Sequence, residues 1–191
     1  SISGIKFPCF KTHLFKQMNA LTQIIFTITL LTSSPSFAEV IFPSGLINKL
    51  GSPSAQPLEV LTVQDQQAAE DNPNRYLELH PSATGYIGRF NFNVPASPNT
   101  TVSKLVFKTN FRGQNAASQK WLFQLLEVNT GRWVDIATNS NVAAWHWSDI
   151  ASTITTPGKF INSNNRVTLR YVTYSKDTDV SQLDYMAMQV T

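Results

Sequence analysis

Trp145, His146 and Trp147 stand side by side, among Asn139, Asn141 and Asp149. Flat indole rings can stack on the apolar face of a pyranose, and short amides, carboxylates and guanidinium groups can meet its hydroxyls. If the backbone here is extended, Trp145 and Trp147 point one way and His146 the other. That arrangement would make a sugar platform. The same rings could instead plug the edge of a β-sandwich or cover its end. Arg112, Gln114 and Asn115 fall in a second polar stretch, Asn110 to Gln119, which reads as a long loop. Loops carry binding residues because the elements they join hold them in place, although an ordinary solvated loop has the same composition. The candidate ligand-binding set is therefore Trp145, Trp147, His146, Arg112, Asn115 and Asp149. Trp121 and Trp133 lie in strand-like runs and are assigned to the core, as are Tyr76 and Tyr86.

Asp177, Asp179 and Asp184 form a third cluster. Such oxygens suit a structural calcium ion, but the twelve-residue EF-hand pattern is absent, and a solvated tip accounts for Asp177-Thr178-Asp179 equally well. Asp184, between Leu183 and Tyr185, is expected to be partly buried and paired with Arg166 or Arg170, since pairing offsets the desolvation of a carboxylate. No other cofactor is expected. Catalysis has little to stand on. After residue 38 the histidines are His80 and His146 and there is no cysteine, fewer ligands than a metal centre normally uses. Neither a Gly-x-Ser-x-Gly elbow nor a glycine-rich phosphate loop is present. A small hydrolase or lyase would need His80 or His146 to converge with a carboxylate in a cleft.

The chain has 191 residues and a formal charge of +3. That charge is local. Lys6, Lys11 and Lys16 lie in the first 38 residues, which hold no acid, so from Glu39 onward 12 bases face 12 acids. A neutral body gives no electrostatic reason to expect nucleic acid or an anionic membrane as partner. Residues 1–38 read as a signal peptide with upstream residues. Lys16 precedes an apolar run from Ala20 to Leu31, and Ser36-Phe37-Ala38 fits small-x-small cleavage before Glu39. The run is about 12 residues, short of the roughly 20 a bilayer crossing needs. The expected product is secreted or periplasmic, with residues 39–191 as a single domain. Cys9, the only cysteine, is lost with the leader, so the domain must hold together by its core. Asn99-Thr100-Thr101 is a formal glycosylation acceptor.

Alternation dominates the rest. Tyr86, Gly88, Phe90, Phe92 and Val94 share one face of a run whose other face holds Ile87, Arg89, Asn91 and Asn93. Leu77 and Leu79 alternate in 76–80, and Leu105 and Phe107 in 103–109. Trp121 to Val128 suits a central strand, and with Arg132 to Ala137 across Asn129-Thr130-Gly131 it reads as a hairpin that puts Trp133 beside Asp135. Leu58 to Val63 reads as a first strand, Ser148 to Ser152 as one helical turn and Phe160-Ile161 as a brief strand. Residues 166–190 carry two alternating runs around a polar tip. They read as a hairpin or two neighbouring strands, inside a sheet because both faces bear bulky groups. Seven to nine strands without a long helix predict an all-β fold: a β-sandwich of jelly-roll topology, with a barrel as alternative.

Two segments, WLFQLLEVNTGRWVDIA at 121–137 and RVTLRYVTYSKDTDVSQLDYMAMQV at 166–190, resemble the galactose-binding-like jelly rolls. These occur as carbohydrate-binding modules or accessory domains of exported bacterial proteins. The resemblance spans about residues 75–191 and rests on scaffold features, so it transfers no ligand-binding or calcium-binding residue. It implies a non-catalytic binding domain for a polysaccharide or other glycan. Domains of this fold also serve structural and protein-binding roles.

Overall fold

Alternating apolar residues become strands wherever two sheets can share them. The computed structural model describes residues 38–68, 70–95 and 101–191. The expected leader, Ala38 apart, and Asn99 and Thr100 of the glycosylation acceptor lie outside these residues. Eleven strands form among the described residues: β1 (Glu39–Ile41), β2 (Pro43–Leu50), β3 (Ser52–Pro53), β4 (Leu77–His80), β5 (Tyr86–Asn93), β6 (Leu105–Arg112), β7 (Trp121–Leu126), β8 (Trp133–Thr138), β9 (Ser148–Ile154), β10 (Arg166–Thr173) and β11 (Ser181–Val190). The first sheet runs β3-β4-β11-β6-β9, with β1 beside the end of β11; the second runs β2-β5-β10-β7-β8. Every pairing is antiparallel. The architecture is a two-sheet β-sandwich.

The inner faces follow the alternation. Tyr86, Phe90 and Phe92 of β5, Trp121, Phe123 and Leu125 of β7, and Val167, Leu169 and Tyr171 of β10 are buried. They meet Leu105, Phe107 and Phe111 of β6 and Leu183, Met186 and Met188 of β11 in one core. Trp121 stacks on Tyr171 with centroids 4.5 Å apart and planes 11° from parallel. Phe107 and Phe123 touch across the two sheets at 5.1 Å. The Tyr171 hydroxyl donates to Ser181 Oγ at 2.9 Å, a polar tie between the sheets. At the end of the sandwich, Trp121 Nε1–H donates to Gln119 Oε1 at 2.7 Å, while the Gln119 amide donates to the carbonyls of Asp177 and Asp179. Buried Asn139 accepts from Trp121 N and donates to the carbonyls of Gln114 and Gln119. Satisfied amides of this kind let the loops close over the aromatic core, in which the buried Tyr86 hydroxyl alone of these groups has no partner.

Several sequence expectations are corrected. β10 and β11 are not a hairpin: β10 lies between β5 and β7, β11 between β4 and β6, and residues 174–180 carry the chain from one sheet to the other. Both strands are interior, as their two bulky faces require. Leu58–Thr62 is a short 3-10 helix after Pro57, with Leu61 turned into the core, rather than a strand. Ser148–Ile154 is a strand and not a helical turn, because Ile150 and Ile154 alternate inward against β6. Phe160 follows the Pro157–Lys159 turn and is buried without pairing. Asn110, Phe111 and Arg112 belong to β6 and not to a loop.

Gly85 closes the turn between β4 and β5, exchanging two backbone hydrogen bonds with Ser82. Its φ is +113°, and a Cβ there would sit 2.1 Å from the Thr173 carbonyl oxygen. Gly85→Ala is expected to lower unfolding free energy by at least about 2 kcal/mol, through both backbone strain and the clash. Urea denaturation at fixed pH measures it, and an unchanged midpoint would contradict this account of the turn.

Candidate functional site

The sandwich has two outer faces, and the chain treats them differently. That of the first sheet is crossed by residues 64–68 and 70–75. The fastening is Asp184, which sits at a register shift in β11 and is fully buried. Its Oδ2 accepts from Asp65 N at 3.0 Å, Gln66 N at 2.9 Å and Asn110 Nδ2 at 3.1 Å. Asn110 Nδ2 also donates to the Gln66 carbonyl, and Gln66 Oε1 accepts from Asn72 N. Asp65 is joined to Arg75, and Asp71 accepts from the Tyr76 hydroxyl at 2.6 Å. No arginine pairs with Asp184, contrary to the expectation of Arg166 or Arg170; those side chains belong to the other sheet. Burial, with the Asp65 carboxylate beside it, pushes the Asp184 carboxyl up to about 6 despite the N–H donors.

The same crossing explains the fate of the sequence candidates. Trp147 is 9% exposed, packs on Tyr76 at 5.5 Å and donates its indole N–H to the Glu70 carbonyl at 2.8 Å. It is a structural ring under the crossing, not a stacking platform. Trp145 is half-buried, with φ of +59°. The backbone there is not extended, so the alternation that would align it with Trp147 is lost. His146 is exposed in the same turn. Arg112 is occupied: it pairs with Asp71 at 3.1 Å, donates to Gln182 Oε1 and the Trp145 carbonyl, and lies 5.9 Å from the Trp147 ring. Asn115 Oδ1 accepts from Ala117 N and Ser118 N, capping its own turn. Asp149 accepts from Gln64 Nε2 at 2.8 Å. A cavity of about 400 Å³ lies here, bordered by Gln64, Gln66, Gln67, Asn110, Trp147 and Asp149. Only Trp147 and Asp149 of the six candidates border it.

The acids do not converge. Asp179 meets Gln114 at 2.7 Å and Asp177 caps the Asp179 N–H, and neither shares a hydrogen-bond partner with Asp184. Among the described residues no three His, Cys, Asp or Glu side chains are placed to share a metal ion. His80 meets Glu78 at 3.0 Å as a surface pair on β4, and neither histidine borders the cavity.

The outer face of the second sheet has no such crossing from 64–68 or 70–75. Register lines its side chains up in rows. Ile47, Arg89, Arg170, Gln124 and Asp135 are successive cross-strand partners from β2 to β8. Beside them Leu50, Ile87, Val172, Leu122 and Thr138 form a largely apolar row. On the other side stand Asn91 with Thr168, bonded at 3.1 Å, and Trp133 opposite Leu126. Arg170 Nε–H donates to Gln124 Oε1 at 2.6 Å, and Gln124 Nε2 donates to Asp135 Oδ1 at 2.6 Å. The guanidinium of Arg170 lies 4.5 Å, and that of Arg89 5.3 Å, from the Trp133 ring centroid. Both are within cation–π range. Burial, with the Arg89 charge adding to it, pulls the Arg170 guanidinium below its ordinary value. Tyr174, 59% exposed, follows at the end of β10.

Trp133 is thus half-buried on an outer face, outside the core to which its strand pattern assigned it, whereas Trp121 and Tyr86 are core residues with no exposed surface. Alternation placed Arg89 and Asn91 together on the more polar face of 86–94 and gave both faces of 166–173 bulky groups. It had no means of seeing that β5 and β10 are neighbours. The resulting surface offers a ring, guanidinium forks, amides and one carboxylate on a rigid support about 19 Å across. It can bind a polyol; a single carboxylate in the row does not make an acid–base pair.

The Asp184 fastening has a measurable consequence. Its folded-state value of about 6 lies above the roughly 3.9 of an unfolded aspartate. The folded state therefore holds more protons between these values, and this group's contribution is fully present below pH of about 4 and is lost as pH rises through about 6. Asp184→Asn keeps an acceptor for the three N–H donors and cannot ionise. Its stability relative to wild type is expected to improve by on the order of 2 kcal/mol between pH of about 4 and about 6. Denaturant midpoints across that range measure this, and a constant difference would contradict it.

Similarity to known proteins agrees with this architecture. No curated protein matches the chain. Among solved structures, the CBM22-1–GH10 modules of the N-terminal endo-1,4-beta-D-xylanase 10B of Clostridium thermocellum, complexed with xylohexaose, match at TM-score 0.52 and 15% identity, over 81% of this chain and 28% of that one. The chain therefore spans under a third of the length of that xylanase structure. A family 29 carbohydrate-binding module from Piromyces equi matches at TM-score 0.45 and 8% identity, over 81% of this chain and 90% of that one. A family 35 module from Clostridium thermocellum matches at TM-score 0.45 and 10% identity, over 80% and 98%. The xylanase likeness concerns the fold alone. The family itself comes from the sequence match over residues 61–185, most of the sandwich: the chain belongs to the N-terminal glycosyl-hydrolase-114-associated domains.

Proposed function

We propose that this is an exported, non-catalytic glycan-binding domain, spanning 39–191 with jelly-roll connectivity, whose binding surface is the outer face of the second sheet. The observation that carries the reading is the row Arg89, Arg170, Gln124 and Asp135 beside Trp133, held on an uncrossed sheet face. Polysaccharide recognition needs an aromatic surface with fixed donors and acceptors around it, and register supplies both. Strand orders β3-β4-β11-β6-β9 and β2-β5-β10-β7-β8 support the jelly-roll connectivity. Export rests on the apolar run and small-x-small site of residues 16–38. The family's association with glycosyl hydrolases supports a polysaccharide as partner. A protein-docking role finds less support. The exposed apolar side chains Val40, Ile47, Val63, Val128, Val134 and Tyr174 are distributed over separate segments.

Affinity electrophoresis in gels containing different polysaccharides tests the assignment. Retardation by at least one glycan is expected, with Trp133→Ala weakening affinity by about 10-fold or more through loss of ring contact. Trp145→Ala is expected to bind like wild type. The reverse ranking would move the site to the Trp145 turn, and no retardation by any glycan would overturn the function.

A further inference from the structure

Arg89 and Arg170 are direct cross-strand partners on the proposed binding face. Like charges directly opposite each other destabilise a strand pair, so a nearby carboxylate would ordinarily be expected. None is in place. The ion pairs among the described residues use Arg75, His80, Arg112 and Lys159. Asp135 reaches Arg170 only through the Gln124 amide, which accepts from one and donates to the other. The Arg89 Nε–H is buried and has no hydrogen-bond partner. Trp133 offsets part of the charge with its π face, but an aromatic ring accepts no directed fork of two N–H donors.

Two guanidiniums held side by side, with one buried donor unspent, are complementary to an anion. A neutral sugar has no charge to place against them. The planar, bidentate geometry of guanidinium matches the planar carboxylate, and the adjacent Trp133 suits the ring that carries it. We propose that the glycan recognised on this face is a polyuronate, a chain whose sugars bear free carboxylates, gripped by Arg89 and Arg170. The inference rests on the second-sheet face being the glycan site. It also explains how a domain with no net charge can select an acidic ligand: the selectivity lies in one pair of guanidiniums without an ion-paired carboxylate and not in overall charge.

Binding of polygalacturonate and alginate is compared with that of methyl-esterified polygalacturonate, neutral glucans and dextran sulfate, by calorimetry and affinity electrophoresis. At least one free-acid polyuronate is expected to bind about 10-fold or more tightly than the esterified and neutral chains, and to weaken as salt rises from about 0.05 to about 0.5 M. Arg89→Gln and Arg170→Gln are each expected to lose about 10-fold in this binding, while the melting temperature of Arg89→Gln, whose Nε–H has no partner to lose, holds or rises because a like-charge contact is removed. A merely structural Arg89 would show a falling melting temperature instead. Equal binding of acid and ester, or stronger binding of dextran sulfate than of either polyuronate, overturns the inference. Binding to neutral glycans alone overturns it and leaves the glycan face standing; silence toward every polysaccharide overturns both.

Discussion

Each sheet has one apolar face to hide, and the two are hidden against each other. Phe107 against Phe123 and the Tyr171 hydroxyl on Ser181 are where they join, with Trp121 lying flat on Tyr171 behind them. A domain without disulfides has little else to hold it. Hydrophobic burial and aromatic packing must offset the chain entropy of a fold built from long-range pairings. Once those faces are used, the chemistry of the molecule is confined to the two outer faces and the ends.

The outer faces diverge because one buried carboxylate recruits a cover. Asp184 gathers the N–H groups of Asp65 and Gln66, and the crossing that follows roofs Tyr76, Trp147 and Arg112. Residues with the composition of a binding site become a polar second layer there. On the other side no carboxylate plays that part. Arg89 and Arg170 are left with a tryptophan and an amide for company, and the face stays open to a ligand. The asymmetry is electrostatic in origin: under the crossing Asp184 Oδ2 takes three N–H donors while its Oδ1 is left without a partner, and on the open face the orphan is a donor, Arg89 Nε–H.

Much of the scaffold is legible in the sequence. Alternation is a local property, so the inward faces of β5, β6 and β7 and the β7–β8 hairpin follow from it directly. What alternation cannot carry is sheet membership. Residues 166–190 look like a hairpin, yet their strands lie in opposite sheets. Trp121 and Trp133 sit in similar runs, but β7 turns its tryptophan inward and the edge strand β8 turns its own outward. The geometry expected around Trp145 fails for a related reason. The Trp145–Trp147 platform required extended backbone, and one left-handed residue at Trp145 removes it. Arg89 and Arg170 are distant in sequence and become neighbours only when β10 pairs with β5.

The most direct test of the central claim is to observe which side chains a bound glycan touches. In heteronuclear NMR titrations with a retained polysaccharide fragment, the Trp133 indole N–H and the Arg89 and Arg170 guanidinium resonances are predicted to shift together. The Trp147 indole, bonded to the Glu70 carbonyl, should stay in place. Shifts confined to Trp145, His146 and the residues around the Gln64–Asp149 cavity, with the second-sheet face silent, would contradict the account.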